Sequence, residues 1–141
     1  VQDGEREITV RRVGETRLVG LGYHIPASAH PDTAALQVLG QVLGDTPTGR
    51  LHKSLVEPGL AASVSASPWL LAEPGLFLSF AMVPVDGDPE ATAKALIEGI
   101  EQASATAFTE DEVARARERL LKNIELLFND GFTSTGAPNN A

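Results

Sequence analysis

Residues 75–84, GLFLSFAMVP, are the strongest strand in the sequence. Leu76, Leu78, Phe80 and Met82 fall on one side of an extended chain, and Phe77, Ser79, Ala81 and Val83 on the other. The segment just before it, LAASVSAS at 60–67, is also extended and made of small residues. The residues between the two, PWLLAEPG, are too many for a two-residue hairpin, so a longer loop joins them. Just after the strong strand, Asp88-Pro89-Glu90 opens a helix that runs to about residue 105. Its stripe is Ala93, Leu96, Ile97, Ile100 and Ala103 or Ser104.

Further out the pattern repeats in kind. TEDE at 109–112 is a capping box, in which Thr109 accepts from the amide three residues on and Glu112 reaches back. The helix behind it carries Val113, Ala116, Leu120, Leu121, Ile124, Leu127 and Phe128, an apolar face sustained over several turns. The end, NDGFTSTGAPNNA, is polar and rich in Gly, Asn and Pro, and residues 131–141 are expected to be a mobile tail. Towards the N-terminus, REITVRR at 6–12 alternates as a half-exposed strand. TRLVGLGYHI at 16–25 follows as a second, with Val19, Leu21, Tyr23 and Ile25 on one face and Leu18, Gly20, Gly22 and His24 on the other. The two glycines leave room for close approach.

Pro31 suits a first helical position, and Leu36, Leu39, Val42 and Leu43 follow at helical spacing to Gly44. Thr48 is placed to cap a short helix over 50–57 carrying Leu51 and Leu55, which Pro58-Gly59 stops. The order is therefore ββ-αα-ββ-αα. It predicts an α+β fold, an antiparallel or mixed sheet with helices layered on one face, in a single domain over residues 5–130.

Composition excludes several classes of function. The chain has 141 residues, no cysteine and a net charge of −8. A disulfide framework, a thiolate metal site and a cysteine nucleophile are ruled out. The acidic balance argues against nucleic acid, which needs a basic face. No apolar run approaches the roughly 20 residues that span a bilayer, so no membrane insertion is expected. VQDGEREITVRRVGE has no apolar signal-peptide core, so any export signal would lie upstream.

Candidate chemistry is sparse. His24 and His30 straddle Pro26, and His52 sits on the short helix with no carboxylate at i±4, so neither H-E-x-x-H nor H-x-x-E-H occurs. Ser63, Ser65 and Ser67 alternate on one strand face without a G-x-S-x-G context. Asp and Glu at 110–112 suit a helix start, and Glu118 lies among Arg115, Arg117 and Arg119 on a charged face. VGLG at 19–22 lies within a strand and lacks the Lys-Ser/Thr of a phosphate loop. Trp69, beside Pro68, is a candidate exposed contact residue.

The ordered set TRLVGLGYHIPASAHPDTAALQVLGQVLG, GRLHKSLVEPGLAASVSA, DPEATAKALIEGIE and TEDEVARARERLLKNIE resembles the pitrilysin, insulin-degrading enzyme and mitochondrial processing peptidase family of zinc metallopeptidases. It is most similar to that family's inactive domain. The resemblance spans residues 5–129 and implies the front part of a clamshell domain that lacks the zinc motif. Zinc would be held by a catalytic domain elsewhere in the parent polypeptide, with no catalytic, cofactor or metal residue in this segment. In many members the non-zinc partner sets an Arg before a Gly-Leu turn and a Tyr in the next strand, both reaching substrate. Here the matching positions are Val56 and Ala62, which carry no side-chain donor, and the roles do not pass to Arg50 or Tyr23.

Two functions follow from the resemblance. One is a zinc-free domain that supplies chamber wall, substrate contact and docking surface, with strands 60–67 and 76–83 shaping the inner face. The other is a structural or adaptor domain of the same fold with no proteolytic role. An unrelated α+β binding module is the third reading. Expected partners are other domains of the same polypeptide or a homologous subunit, and a peptide substrate. With the rest of the domain absent, an exposed apolar face on the last helix would favour self-association. Bacterial relatives are often exported, which adds a periplasmic location by resemblance alone.

Overall fold

The computed structural model describes residues 4–8 and 17–133. The alternation of 75–84 becomes the central strand. The chain runs β1 (Arg17–Ile25), α1 (Thr33–Gly44), a π-helical turn (His52–Val56), β2 (Ser63–Trp69), β3 (Gly75–Val83), α2 (Pro89–Ala105) and α3 (Glu110–Thr133). β3 pairs antiparallel with β1 on one side, from Arg17 opposite Val83 to Ile25 opposite Gly75. It pairs antiparallel with β2 on the other, from Ser63 opposite Met82 to Trp69 opposite Leu76. The three-stranded sheet therefore has the order β1-β3-β2. Of the strand expected over 6–12, residues 6–8 are exposed and extend into no strand, and 9–12 lie outside the described residues. α3 continues through 131–133, and the remainder of the expected tail lies outside them too.

All three helices sit on one side of the sheet. α1 lies on β2, α2 on β1 and β3, and α3 against α1. The side chains they cover are the inward set of each strand: Val19, Leu21 and Ile25 from β1, Val64 and Ala66 from β2, and Phe77 and Ala81 from β3. Leu43, Leu51, Leu55 and Leu96 complete the core and are fully enclosed. Each such side chain stabilises the fold by about 1.5–3 kcal/mol. The hydroxyl of Ser79 is enclosed in the same layer with no hydrogen-bond partner among the described residues.

Local chemistry sets the element boundaries. α1 starts at Thr33, not at Pro31, because His30 organises a turn first: its Nδ1 accepts from the Asp32 amide at 3.2 Å and its carbonyl from the Thr33 amide at 3.1 Å. Thr48 does not cap the following helix; its hydroxyl donates to Asp45 Oδ2 at 2.6 Å. That short helix widens into a π-helical turn in which the Glu57 amide donates to the His52 carbonyl at 3.1 Å. Gly59, at φ +81°, then reverses the chain, a conformation open to glycine. The α2 cap is as expected: the Asp88 carboxylate accepts from the Glu90 amide at 2.9 Å, with Pro89 in the first turn. The capping box at α3 forms in both directions, at 3.2 Å to Thr109 Oγ1 and 2.9 Å to Glu112 Oε2.

One buried polar group ties α2 to the turn before β2. Thr92, 1% exposed, donates from Oγ1 to the Leu60 carbonyl at 2.8 Å. Thr92→Val keeps the shape and removes the donor, leaving that carbonyl unpaired. The expected loss is about 1–2 kcal/mol in urea unfolding.

Candidate functional site

The side of the sheet away from the helices is open. Register aligns it in four rows: Leu18–Met82–Ser63, Gly20–Phe80–Ser65, Gly22–Leu78–Ser67 and His24–Leu76–Trp69. In the two middle rows a large central side chain stands between residues with little or no side chain. A Cβ on Gly20 would lie 2.9 Å from Phe80 Cε1, and one on Gly22 would lie 3.4 Å from Leu78 Cδ2. Phe80 and Leu78 thus lie over the β1 glycines, and Ser65 and Ser67 remain exposed along the β2 side. Leu76, Leu78 and Phe80 are half-buried, and Leu18, Met82 and Trp69 exposed. The chain carries 11 Lys or Arg and 19 Asp or Glu, yet none occupies these twelve positions. The face can hold an extended chain by apolar contact and by serine hydroxyls. His24, in the last row, is its one imidazole.

The turn leading into β2 sits at one end of this face. Val56 is half-buried against the core, and Ala62 is exposed with its amide donating to the Met82 carbonyl at 2.8 Å. Neither can donate from a side chain. Tyr23 is 42% exposed on the opposite side of β1; partial burial first, then the Glu101 and Glu5 carboxylates, raise its phenol above the ordinary value.

Arg50 has a different task, which sequence reading missed. Its Nε and Nη2 each donate to the Glu112 carboxylate at 2.8 Å. Nη1 donates to the Thr106 carbonyl at 3.0 Å and Nη2 to the Ala107 carbonyl at 2.9 Å. Cζ stands 4.4 Å from the centre of the Phe108 ring. Both partners are about four-fifths buried, with side-chain exposures of 20% and 18%. The arginine thus fastens the start of the short helix to the loop joining α2 and α3. Its hydrogen bonds, with help from the Thr109 amide, hold the Glu112 carboxyl down to about 2. The same bond raises the Arg50 guanidinium. The available signal was Glu112 itself, read only as a capping residue.

The three histidines do not converge. His24 is on the open sheet face, His30 in the turn before α1 and His52 in the π-helical turn. Among the described residues no group of three or more His, Cys, Asp or Glu side chains could hold a metal ion. Zinc therefore has no fitting ligand set among them. Glu118 lies beside Arg115 and Arg119 in a groove of about 490 Å³ between α1 and α3, where Arg119 pairs with Asp45 at 2.7 Å. No helix of the described residues is long and apolar enough to cross a membrane.

Comparison with known proteins gives consistent results. A family described as the peptidase M16 inactive domain matches residues 1–120. The zinc protease PqqE of Helicobacter pylori is 35% identical over 97 residues, 67% of this chain and 21% of that protein. The chain thus spans about a fifth of the length of this curated relative. The inactive peptidase domain of a protein assigned as a zinc protease from Bordetella parapertussis superposes with a TM-score of 0.73 at 30% identity, over 91% of this chain and 75% of that one. A protein assigned as a zinc protease from Bordetella pertussis Tohama I gives 0.76 at 31%, over 84% and 66%.

Proposed function

Because the chain belongs to the peptidase M16 inactive-domain family, we propose that it serves as the non-catalytic wall of a zinc protease's substrate chamber and docks against a separate catalytic domain. One observation carries this reading: a sheet face free of helices and of charge, with a side-chain ridge along β3 and serines along β2. Zinc in the catalytic domain would supply the activated water. The residues here contact the peptide and shape the space around it.

The test is kinetic and uses the full-length polypeptide. Ser65→Glu places a charge on an exposed, uncharged position without disturbing the core. The expected result is a rise in KM of about tenfold for peptide hydrolysis, with kcat within about twofold and the thermal midpoint unchanged. An unaltered kcat/KM would overturn the chamber-wall role.

A second reading, a scaffold domain with no part in proteolysis, is favoured by Val56 and Ala62, which lack side-chain donors. It predicts a full-length protein that cleaves no peptide whatever occupies position 65.

A further inference from the structure

Trp69 ends β2 in the last row of the open face, opposite Leu76, with His24 on the far side of that leucine. It is the single tryptophan of the chain and the largest side chain on the face, and it is 56% exposed. Its backbone has little freedom. Pro68 before it packs on α1, where a Cβ on Gly40 would lie 3.1 Å from Pro68 Cδ. Towards β3, a Cβ on Gly75 would collide with the Trp69 carbonyl. Two residues on, the Leu71 carbonyl accepts from the Ser28 amide at 2.8 Å. An aromatic ring on so fixed a strand end loses little conformational freedom when another group packs on it.

The rest of the face defines that group. No Lys, Arg, Asp or Glu occupies its twelve positions, so a charged side chain laid there would lose water without gaining an ion pair. Phe80 and Leu78 lie over the β1 glycines, so the lower path runs along β2. Ser63, Ser65, Ser67 and Trp69 alternate on that path, with Trp69 at its end. We propose that Trp69 determines specificity: it takes one apolar side chain of an extended, uncharged stretch of peptide lying along β2. At about 3.3 Å per residue, that side chain belongs to a residue roughly four positions from the one over Ser65. The proposal rests on the chamber-wall reading and adds a substrate preference to it.

The test uses the full-length polypeptide and a peptide that it cleaves at one bond, extended by Gly/Ser arms on which a single Leu is moved one position at a time. Wild type is expected to show a KM about tenfold lower for one placement of the Leu than for the others. Trp69→Ala abolishes that preference with kcat within about twofold, and Trp69→Phe keeps most of it, both with the thermal midpoint unchanged. A preference that survives Trp69→Ala, or none in wild type, overturns the proposal. The chamber-wall reading then stands if Ser65→Glu still raises KM, and falls with it if not. A lower thermal midpoint in both Trp69 variants assigns the ring to packing within the protein and also overturns the proposal. A full-length protein that cleaves no peptide overturns both.

Discussion

Arg50→Ala is expected to cost about 3 kcal/mol at pH 7, a drop of roughly 10 °C in the thermal midpoint. The substitution removes four hydrogen bonds and the contact with Phe108, and leaves the Glu112 carboxylate largely buried without its cation. Arg50→Lys restores the charge but not the fork, and should recover less than half of the loss. The effect depends on pH. Glu112 titrates at about 2 in the folded chain against an ordinary value of 4.5. Its contribution is fully present above that ordinary value. It falls away as the pH drops towards 2, because the unfolded chain takes up the proton first.

The whole depression corresponds to about 3 kcal/mol. Arg50 is its largest cause, with Thr109 contributing the rest of the lowering. In urea unfolding from pH 7 to pH 3, the gap between wild type and Arg50→Ala should narrow steadily below about 4.5. A gap that stays constant across that range would show that the arginine acts through its carbonyl and ring contacts alone.

Gly44→Val is expected to destabilise the fold by about 3 kcal/mol or more. Gly44 ends α1 where the helix meets the backbone of β2. A Cβ there would collide with the Ala66 amide nitrogen and lie 3.0 Å from its carbonyl oxygen and 3.1 Å from its Cα. Backbone atoms of a paired strand cannot swing aside as a side chain can, so α1 must lift from β2. That would loosen Leu43 and Val42, both buried. Gly40, one turn earlier, faces the same strand at 3.1 Å from Pro68 Cδ and 3.2 Å from the Ala66 carbonyl oxygen. Gly40→Ala should therefore cost less than Gly44→Val. Chemical unfolding monitored by the single tryptophan, Trp69 on β2, reads both effects. A Gly44→Val chain as stable as wild type would mean that α1 does not press on β2 as described.

Much of the architecture was legible from local signals. Alternation marked β3, Asp88-Pro89 marked the start of α2, and Thr109 and Glu112 marked the start of α3; each depends on residues within one or two turns of one another. Boundaries slipped where a side chain made an unforeseen local bond, as His30 did before α1 and Thr48 after it. The site was less legible. The alternation showed that β3 has two faces of different composition, but not which one the helices would cover.

By itself the sequence determined the elements from residue 17 on, their order, the starts of α2 and α3 and the residue types at Val56 and Ala62, because these depend on residue type and on neighbours a few positions away. Only the tertiary structure decided that Gly20, Phe80 and Ser65 form one row, that Arg50 closes on Glu112 across 62 positions, and that of the α3 apolar face Ala116 is buried while Leu121, Ile124, Leu127 and Phe128 are exposed. Strand register and helix orientation arise from packing between distant segments, and periodicity along a single segment carries no record of what lies across from it.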